Sequence, residues 1–361
     1  MYLLQCLCYQ RIVANNLRVH NMSAAAETAS RSLFRDRDGA IANTIVLLWV
    51  SLGWIASFAF MGAKSISLNV LGVGLCAHTM ILAAYLIHEA AHQTLFAILP
   101  ANAVAGEAMN FIAGSSYASF ERIRHLHIRH HMDRADVTCF DFKGLMLRHP
   151  TLRRSMELLE WCYIPAVEIL MHLQVVWRPL FSWSQRRYLL RSMAMLAVRG
   201  CLLALLGLWS VKAFALYFLA MALMLHVLNF FDAFHHTYEQ IFVESDQPVP
   251  SHGRDRAYEE ENTYSNLLSA RFPWLDVLIL NFGYHNAHHQ RASVPWFRLP
   301  RFHRSLYGDQ TTAVMPLSEL LRSWHCNRVR RVISDGSRPG QGAGRADVFV
   351  GAHGVSFLTV M

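Results

Sequence analysis

Residues 41–63 and 65–87 form two runs of 23 residues without a single Lys, Arg, Asp or Glu, separated only by Lys64. A helix needs roughly 20 apolar residues to cross the hydrocarbon core of a bilayer. The runs therefore predict a transmembrane helical hairpin that turns at Lys64. A hairpin buried in a large soluble core is the alternative, and composition weighs against it. The 361-residue chain is 53% hydrophobic and only 16% charged, whereas soluble domains carry about a quarter charged residues.

The second run leads directly into HEAAH, with His88 and His92 one helical turn apart. Downstream, RHLHIRHHMDRAD packs His125, His127, His130 and His131 into seven residues, followed by Asp133 and Asp136. On a helix, His127 lies one turn from both His130 and His131. The same HxxHH spacing recurs at His285, His288 and His289. Imidazole is the commonest side-chain metal ligand, and these are spacings by which a helix presents it. HEAAH alone reads as a zincin signature, with Glu89 as base between two ligands, but that leaves both HxxHH clusters without a role. A zinc site takes three or four ligands, so eight well-spaced imidazoles suggest two metals. All-nitrogen ligation suits iron, copper or zinc, and the count does not choose among them.

If all three clusters build one site, the chain crosses the membrane an even number of times between His131 and His285. The apolar block at about 189–231 then holds two spans, roughly 189–210 and 213–231, with Lys212 at the outer turn and Arg199 in need of a partner. The Gly/Ser-punctuated stretch 93–119 reads as re-entrant or interfacial. Residues 151–183, with Glu157, Glu160 and Glu168 among apolar positions, read as interfacial amphipathic helices. Arginines at 122, 124, 129 and 134 predict that the histidine-rich segment is cytoplasmic. The expected fold is an all-α polytopic membrane protein with four transmembrane helices and a cytoplasmic helical cap that carries the histidines. Residues 1–40 are expected to be a poorly ordered cytoplasmic tail without a secretory signal peptide. Residues 311–361 are expected to be a cytoplasmic segment whose last part, 335–361, is loose.

The net charge of +8 fits positive-inside topology and anionic headgroups. Basic and aromatic residues do not interleave as a nucleic-acid surface requires. Seven scattered cysteines without a CxxC pair argue against a disulfide framework and a thiolate metal site.

HEAAH after the second span, HIRHH about 35 residues on and HNAHH after the fourth span match the three histidine boxes of the integral-membrane fatty acid desaturases, a family that includes hydroxylases and ketolases. YHNAHHQRASVPWFRLPRFHR is similar to the third box with its following VPW tail, and the resemblance covers about 41–310. It implies a membrane fatty acid desaturase domain over that range, with a non-haem di-iron centre at the cytoplasmic mouth of the bundle. It assigns His88 and His92, then His127, His130 and His131, then His285, His288 and His289 as ligands to two iron ions. It also implies one further histidine just after the fourth span, His236, with His235 as competitor. Glu89, Asp133, Asp136, Asp232 and Asn281 are candidates to support the ligands from behind. The first box has a shorter gap than that of the acyl-CoA desaturases, which points to the acyl-lipid or bacterial side of the family. No HPGG-type motif of a fused cytochrome b5 is present, so electrons are expected from a separate donor: ferredoxin, rubredoxin or cytochrome b5.

The expected activity is O2-dependent introduction of a double bond into a lipid acyl chain. Hydroxylation of an acyl chain, alkane or carotenoid begins with the same hydrogen abstraction and is the near alternative. An intramembrane zinc protease using His88, Glu89 and His92, and a non-catalytic metal or haem carrier, are the readings from other classes.

Overall fold

The structure is a computed structural model that describes residues 32–138, 140–238, 240–242, 255–308, 314–333 and 349–352. Among the described residues, four helices are long and apolar enough to span a membrane: α1 (Ala40–Gly62), α2 (Ile66–Ala91), α8 (Leu189–Trp209) and α9 (Val211–Ala233). Between α2 and α8 lie α3 (Leu99–Ile112), α4 (Phe120–Asp133), α5 (Phe142–Arg148), α6 (Pro150–Trp161) and α7 (Ala166–Phe181). After α9 come α10 (Arg256–Glu261), α11 (His285–Gln290), α12 (Leu299–Tyr307) and α13 (Leu317–Cys326). Strands β1 (Asp136–Thr138) and β2 (Gln240–Phe242) pair in parallel and are the only named strands among the described residues. The chain is an all-α polytopic membrane protein.

Where the spanning helices turn, peptide groups at membrane depth must find partners within the protein, because hydrocarbon offers none. At the α1–α2 turn, the buried Asn69 side-chain amide lies 2.9–3.1 Å from the carbonyls of Phe60, Met61 and Ala63. Lys212 donates to the Ala63 carbonyl as well, joining this turn to the α8–α9 turn. The two helices approach closely at Gly72, where a Cβ would stand 2.8 Å from the Met61 nitrogen, as small residues allow in membrane bundles.

The stretch expected to be re-entrant or interfacial holds the helix α3 followed by the irregular turn 113–119. That turn is held by polar groups reaching in from α3 and α8. Asn110 donates to the Ala118 carbonyl at 2.9 Å and accepts from the Ser115 hydroxyl at 2.6 Å. Arg191 donates to Ser116, Ala118 and Glu107. Arg199, the residue that needed a partner, donates to the Phe111 carbonyl at 2.6 Å, and its guanidinium lies 4.7 Å from the Phe111 ring. It therefore braces a backbone turn from within its span and does not reach for the membrane surface.

Two tail expectations are corrected. Phe34 is buried, bridges to Phe96 and stacks on it at 5.3 Å, while Asp36 and Asp38 pair with Arg298. Residues 32–39 are thus tied to the rest of the fold through Phe34, Asp36 and Asp38; residues 1–31 lie outside the described residues. Of the segment expected to be loose, residues 349–352 are buried. The Val350 carbonyl accepts from the buried Arg331 at 2.8 Å, and the Ala352 amide donates to Ala233 at the end of α9. The rest of 335–361 lies outside the described residues.

Replacing Arg199 with Leu removes a charged donor from the Phe111 carbonyl, which keeps its backbone bond from Gly114, and is expected to cost roughly 1.5–3 kcal/mol, the usual net contribution of a hydrogen bond to a charged group. Unfolding in detergent measures this; unchanged stability would mean that the turn does not depend on the guanidinium.

Candidate metal centre

The inner ends of α2 and α9, the helix α4 and the short helix α11 converge on one face of the bundle. Ser119 caps α4 by accepting from the Arg122 amide, and α4 stops because Arg134 takes a left-handed conformation (φ 49°, ψ 51°). The nine histidines named in the sequence as ligands all arrive here, in two groups whose candidate ligand atoms lie within 4.8 Å of one another in each group. One group holds His88, His92, His127, His131 and His288. The other holds His130, His236, His285 and His289. His235 belongs to neither: its ring stacks on His285 at 3.9 Å between centroids.

The boxes do not map one to one onto the groups. Positions 127 and 131 share a face of α4 at one turn's spacing, while His130 is rotated away from them. α11 divides in the same way, sending His288 to the first group and His285 and His289 to the second.

In the first group the Nε2 atoms form a chain. His92 and His127 are 2.8 Å apart, His127 and His131 3.2 Å, His131 and His288 3.1 Å, and His288 and His88 3.0 Å. A neutral ring nitrogen carries either a proton or a lone pair, so the inner members cannot serve both neighbours well. With metal–nitrogen bonds of about 2.1 Å, neighbouring ligands at right angles would be ~3.0 Å apart. The observed spacings fit a shared cation. In the second group His236 and His285 are 2.8 Å apart at Nε2, and the buried His289 Nε2 has no hydrogen-bond partner.

Burial keeps these rings in the neutral, ligating form. It pushes His130 down to about 4 and His288 down to about 3. His92, His127, His131, His236, His285 and His289 are held well below the usual histidine range, again by burial first and by neighbouring imidazoles second.

The candidates for supporting roles divide. The Glu89 carboxylate accepts from the Thr94 hydroxyl at 2.6 Å and the Trp296 amide at 3.1 Å, and it stands 3.7 Å from His88 Nδ1. Asp136 stands 3.7 Å from His130 Nδ1, whose hydrogen-bond acceptor is the Ala135 carbonyl at 2.8 Å. Burial pushes the Asp136 carboxyl up to about 8. Asp136 and Asp232 line a small chamber of about 50 Å³ together with His127, His130, His236 and His285. Two expectations are corrected. Asp133 bonds Arg129 at 2.6 Å, one turn back along α4, not an imidazole. Asn281, with left-handed backbone (φ 54°), donates to the Trp296 carbonyl of the VPW segment at 3.0 Å, and no hydrogen bond joins it to His285 among the described residues.

The residues 64–319 match the sequence profile of a family described as fatty acid desaturase. Comparison with curated proteins gives no match.

One supporting residue carried no signal in the sequence. Glu259 on α10 accepts from His289 Nδ1 at 3.1 Å and from Arg134 Nε at 2.9 Å. It thereby ties the end of α4 to α11 through a single carboxylate, and nothing in the acidic run at 259–261 marks it out. Glu259→Ala is expected to weaken metal retention in the four-histidine group by roughly 10–100-fold, the usual effect of losing a carboxylate behind a ligating histidine. Glu259→Gln, which can still accept from His289, should recover part of the loss. Equilibrium dialysis with metal analysis reads both variants.

Proposed function

Because the chain belongs to the fatty acid desaturase family, we propose that it is a membrane-bound lipid desaturase that uses O2 and electrons from a separate donor, with two iron ions held by the nine histidines. The observation that carries this reading is the division of nine imidazoles, six buried and three half-buried, into groups of five and four that both reach one small chamber, through His127 on one side and His130, His236 and His285 on the other. His88, His92, His127, His131 and His288 would hold one iron, and His130, His236, His285 and His289 the other. A redox metal is needed because zinc has no redox chemistry, and side-chain acids and bases cannot break an unactivated methylene C–H bond. When bound, the iron pair supplies O2 activation and hydrogen abstraction.

The chain's own residues bind, orient and exclude water. The Ala135 carbonyl and Glu259 fix the rings of His130 and His289, and the chamber walls Leu126, Val137 and Phe282 keep its apolar side dry. A second, apolar cavity of about 630 Å³ lies among α1, α3, α7, α8 and α9, lined by Trp54, Phe111, Leu173, Phe218 and Leu225 among others. Leu225 precedes Asp232 of the chamber by two helical turns, ~10 Å along α9. A lipid tail lying in the cavity would bring a methylene to the chamber by extending over that distance. Hydroxylation of the same tail is the second reading, since it uses the same ligands and the same abstraction. Protease chemistry is disfavoured by Glu89, a buried carboxylate whose Oε2 is held by Thr94 and Trp296 and whose Oε1 faces His88.

The centre faces the cytoplasm in this reading. Arg35, Arg37, Arg122, Arg124, Arg129 and Arg134 lie at its end of the bundle, whereas the opposite turns carry Lys64 and Lys212, as positive-inside topology requires. Arg122, Arg124 and Arg129 flank the exposed His125 on α4. They offer an acidic donor such as a ferredoxin, rubredoxin or cytochrome b5 a docking face on the helix that carries His127, His130 and His131.

Metal analysis of the detergent-purified protein is expected to give about two irons per chain. His131→Ala and His289→Ala, drawn from different groups, should each lower that content and abolish unsaturated product in the host's lipids. One zinc per chain, retained in both variants, would sink the reading. Ala222→Trp fills the apolar cavity; it is expected to retain metal and lose product, as measured by lipid chromatography.

A further inference from the structure

We infer that residues 272–279 form a further membrane-embedded element, a re-entrant turn whose outer side is covered by lipid tails. The inference rests on the spanning architecture and not on the identity of the metal. In PWLDVLI (Pro273–Ile279) the chain makes a short tight helix. Trp274 is 67% exposed, and Phe272, Val277 and Leu278 are each close to half exposed, an apolar patch that a cytoplasmic surface would not leave to water.

Depth is given by what the segment touches. Phe282 stacks on Tyr85 at 4.4 Å and lies 5.0 Å from the His88 ring, at the level of the metal centre. The Leu278 carbonyl bonds His78 Nε2 at 3.0 Å, while Trp49 on α1 donates to His78 Nδ1 at 3.2 Å. His78 precedes His88 by ten residues on α2, ~15 Å along the helix axis. From Phe282 back to Leu278 the chain therefore descends alongside α2 into the zone between the spanning helices, where the outward solvent is acyl chain.

The turn meets the rule for irregular backbone at that depth, that its peptide groups be satisfied within the protein. The amides of Leu275, Leu280 and Phe282 bond carbonyls of the turn itself, the Asn281 amide bonds Asp276 O at 2.7 Å, and His78 meets the Leu278 carbonyl. The Asp276 carboxylate points inward and accepts from the Leu268 amide at 2.9 Å, away from lipid. Arg271 lies against the Phe272 ring, with a stem long enough to carry its charge toward the headgroups.

The exit from the turn is strained. Leu280 and Asn281 both adopt left-handed backbone (φ 50° and 54°), an uncommon choice for a leucine. Four residues later the chain is at His285. The turn thus joins the lipid phase to the helix that supplies ligands to both histidine groups.

The test uses the full chain in phosphatidylcholine vesicles, with lipids brominated at mid-chain or unbrominated, and compares wild type with Trp274→Phe so that the difference isolates Trp274 emission. The expected result is that brominated lipid extinguishes the Trp274 emission and aqueous iodide leaves it unchanged. As a second measurement, Val277→Cys should resist a membrane-impermeant maleimide in vesicles open on both sides and react after denaturation, read by peptide mass. Quenching by iodide would place the turn in water and overturn the inference. Shielding from both quenchers would put a protein, a partner or a second copy, where the inference puts lipid, and would equally overturn it.

Discussion

Imidazole nitrogens brought to about 3 Å from one another in a buried site set the terms for the rest of this protein. Each such nitrogen has one proton or one lone pair to offer, and burial keeps the rings neutral. A chain of five Nε2 atoms in which the inner members each face two neighbours is not well satisfied by hydrogen bonds among its own members. A cation that receives all five lone pairs satisfies them together. The supporting bonds then follow from the need to aim the rings: His130 is fixed by a backbone carbonyl and His289 by Glu259. The VPW segment is fastened to α1 and α2 through Trp296, which bonds Asn43 and Glu89.

The membrane imposes a second rule, that backbone leaving a helix at depth must be paired. Three unrelated turns obey it with different side chains. Asn69 and Lys212 serve the α1–α2 turn, Arg191 and Arg199 the α3–α4 turn, and His78 the turn at 272–279. In each case a polar residue that hydropathy alone would count against a span is the partner of a carbonyl from another element. Such residues are costly in hydrocarbon only when unpartnered.

This explains what was legible in the sequence and what was not. The four spans could be read from uncharged length and parity, and the histidines from spacing, because both are local properties. Arg199 was recognisable as an anomaly, but its partner Phe111 lies 88 residues away and no local pattern connects them. Glu259 was invisible for the same reason: its partners come from two other helices. Asp133 and Asn281 misled because proximity in sequence does not fix direction. Asp133 lies one turn from Arg129 and takes that nearer cation, and Asn281 bonds the Trp296 carbonyl, 15 residues on. The 272–279 turn is too short, and too interrupted by Pro273 and Asp276, to register as a membrane element.

The assignment of ligands to groups also lay beyond spacing, and its consequence is mechanical. His130 and His131 are consecutive yet belong to different groups, as are His288 and His289. Consecutive residues on a helix point about 100° apart, so each of α4 and α11 is a partition with one group on either side. The separation between the groups is then set by covalent geometry and helix radius more than by the packing of flexible side chains. A displacement of either helix moves ligands of both groups at once. Glu259, which bonds His289 on α11 and Arg134 at the end of α4, acts where those two helices could slip past each other. The fixed spacing of the pair thus depends on one carboxylate as well as on the histidines themselves.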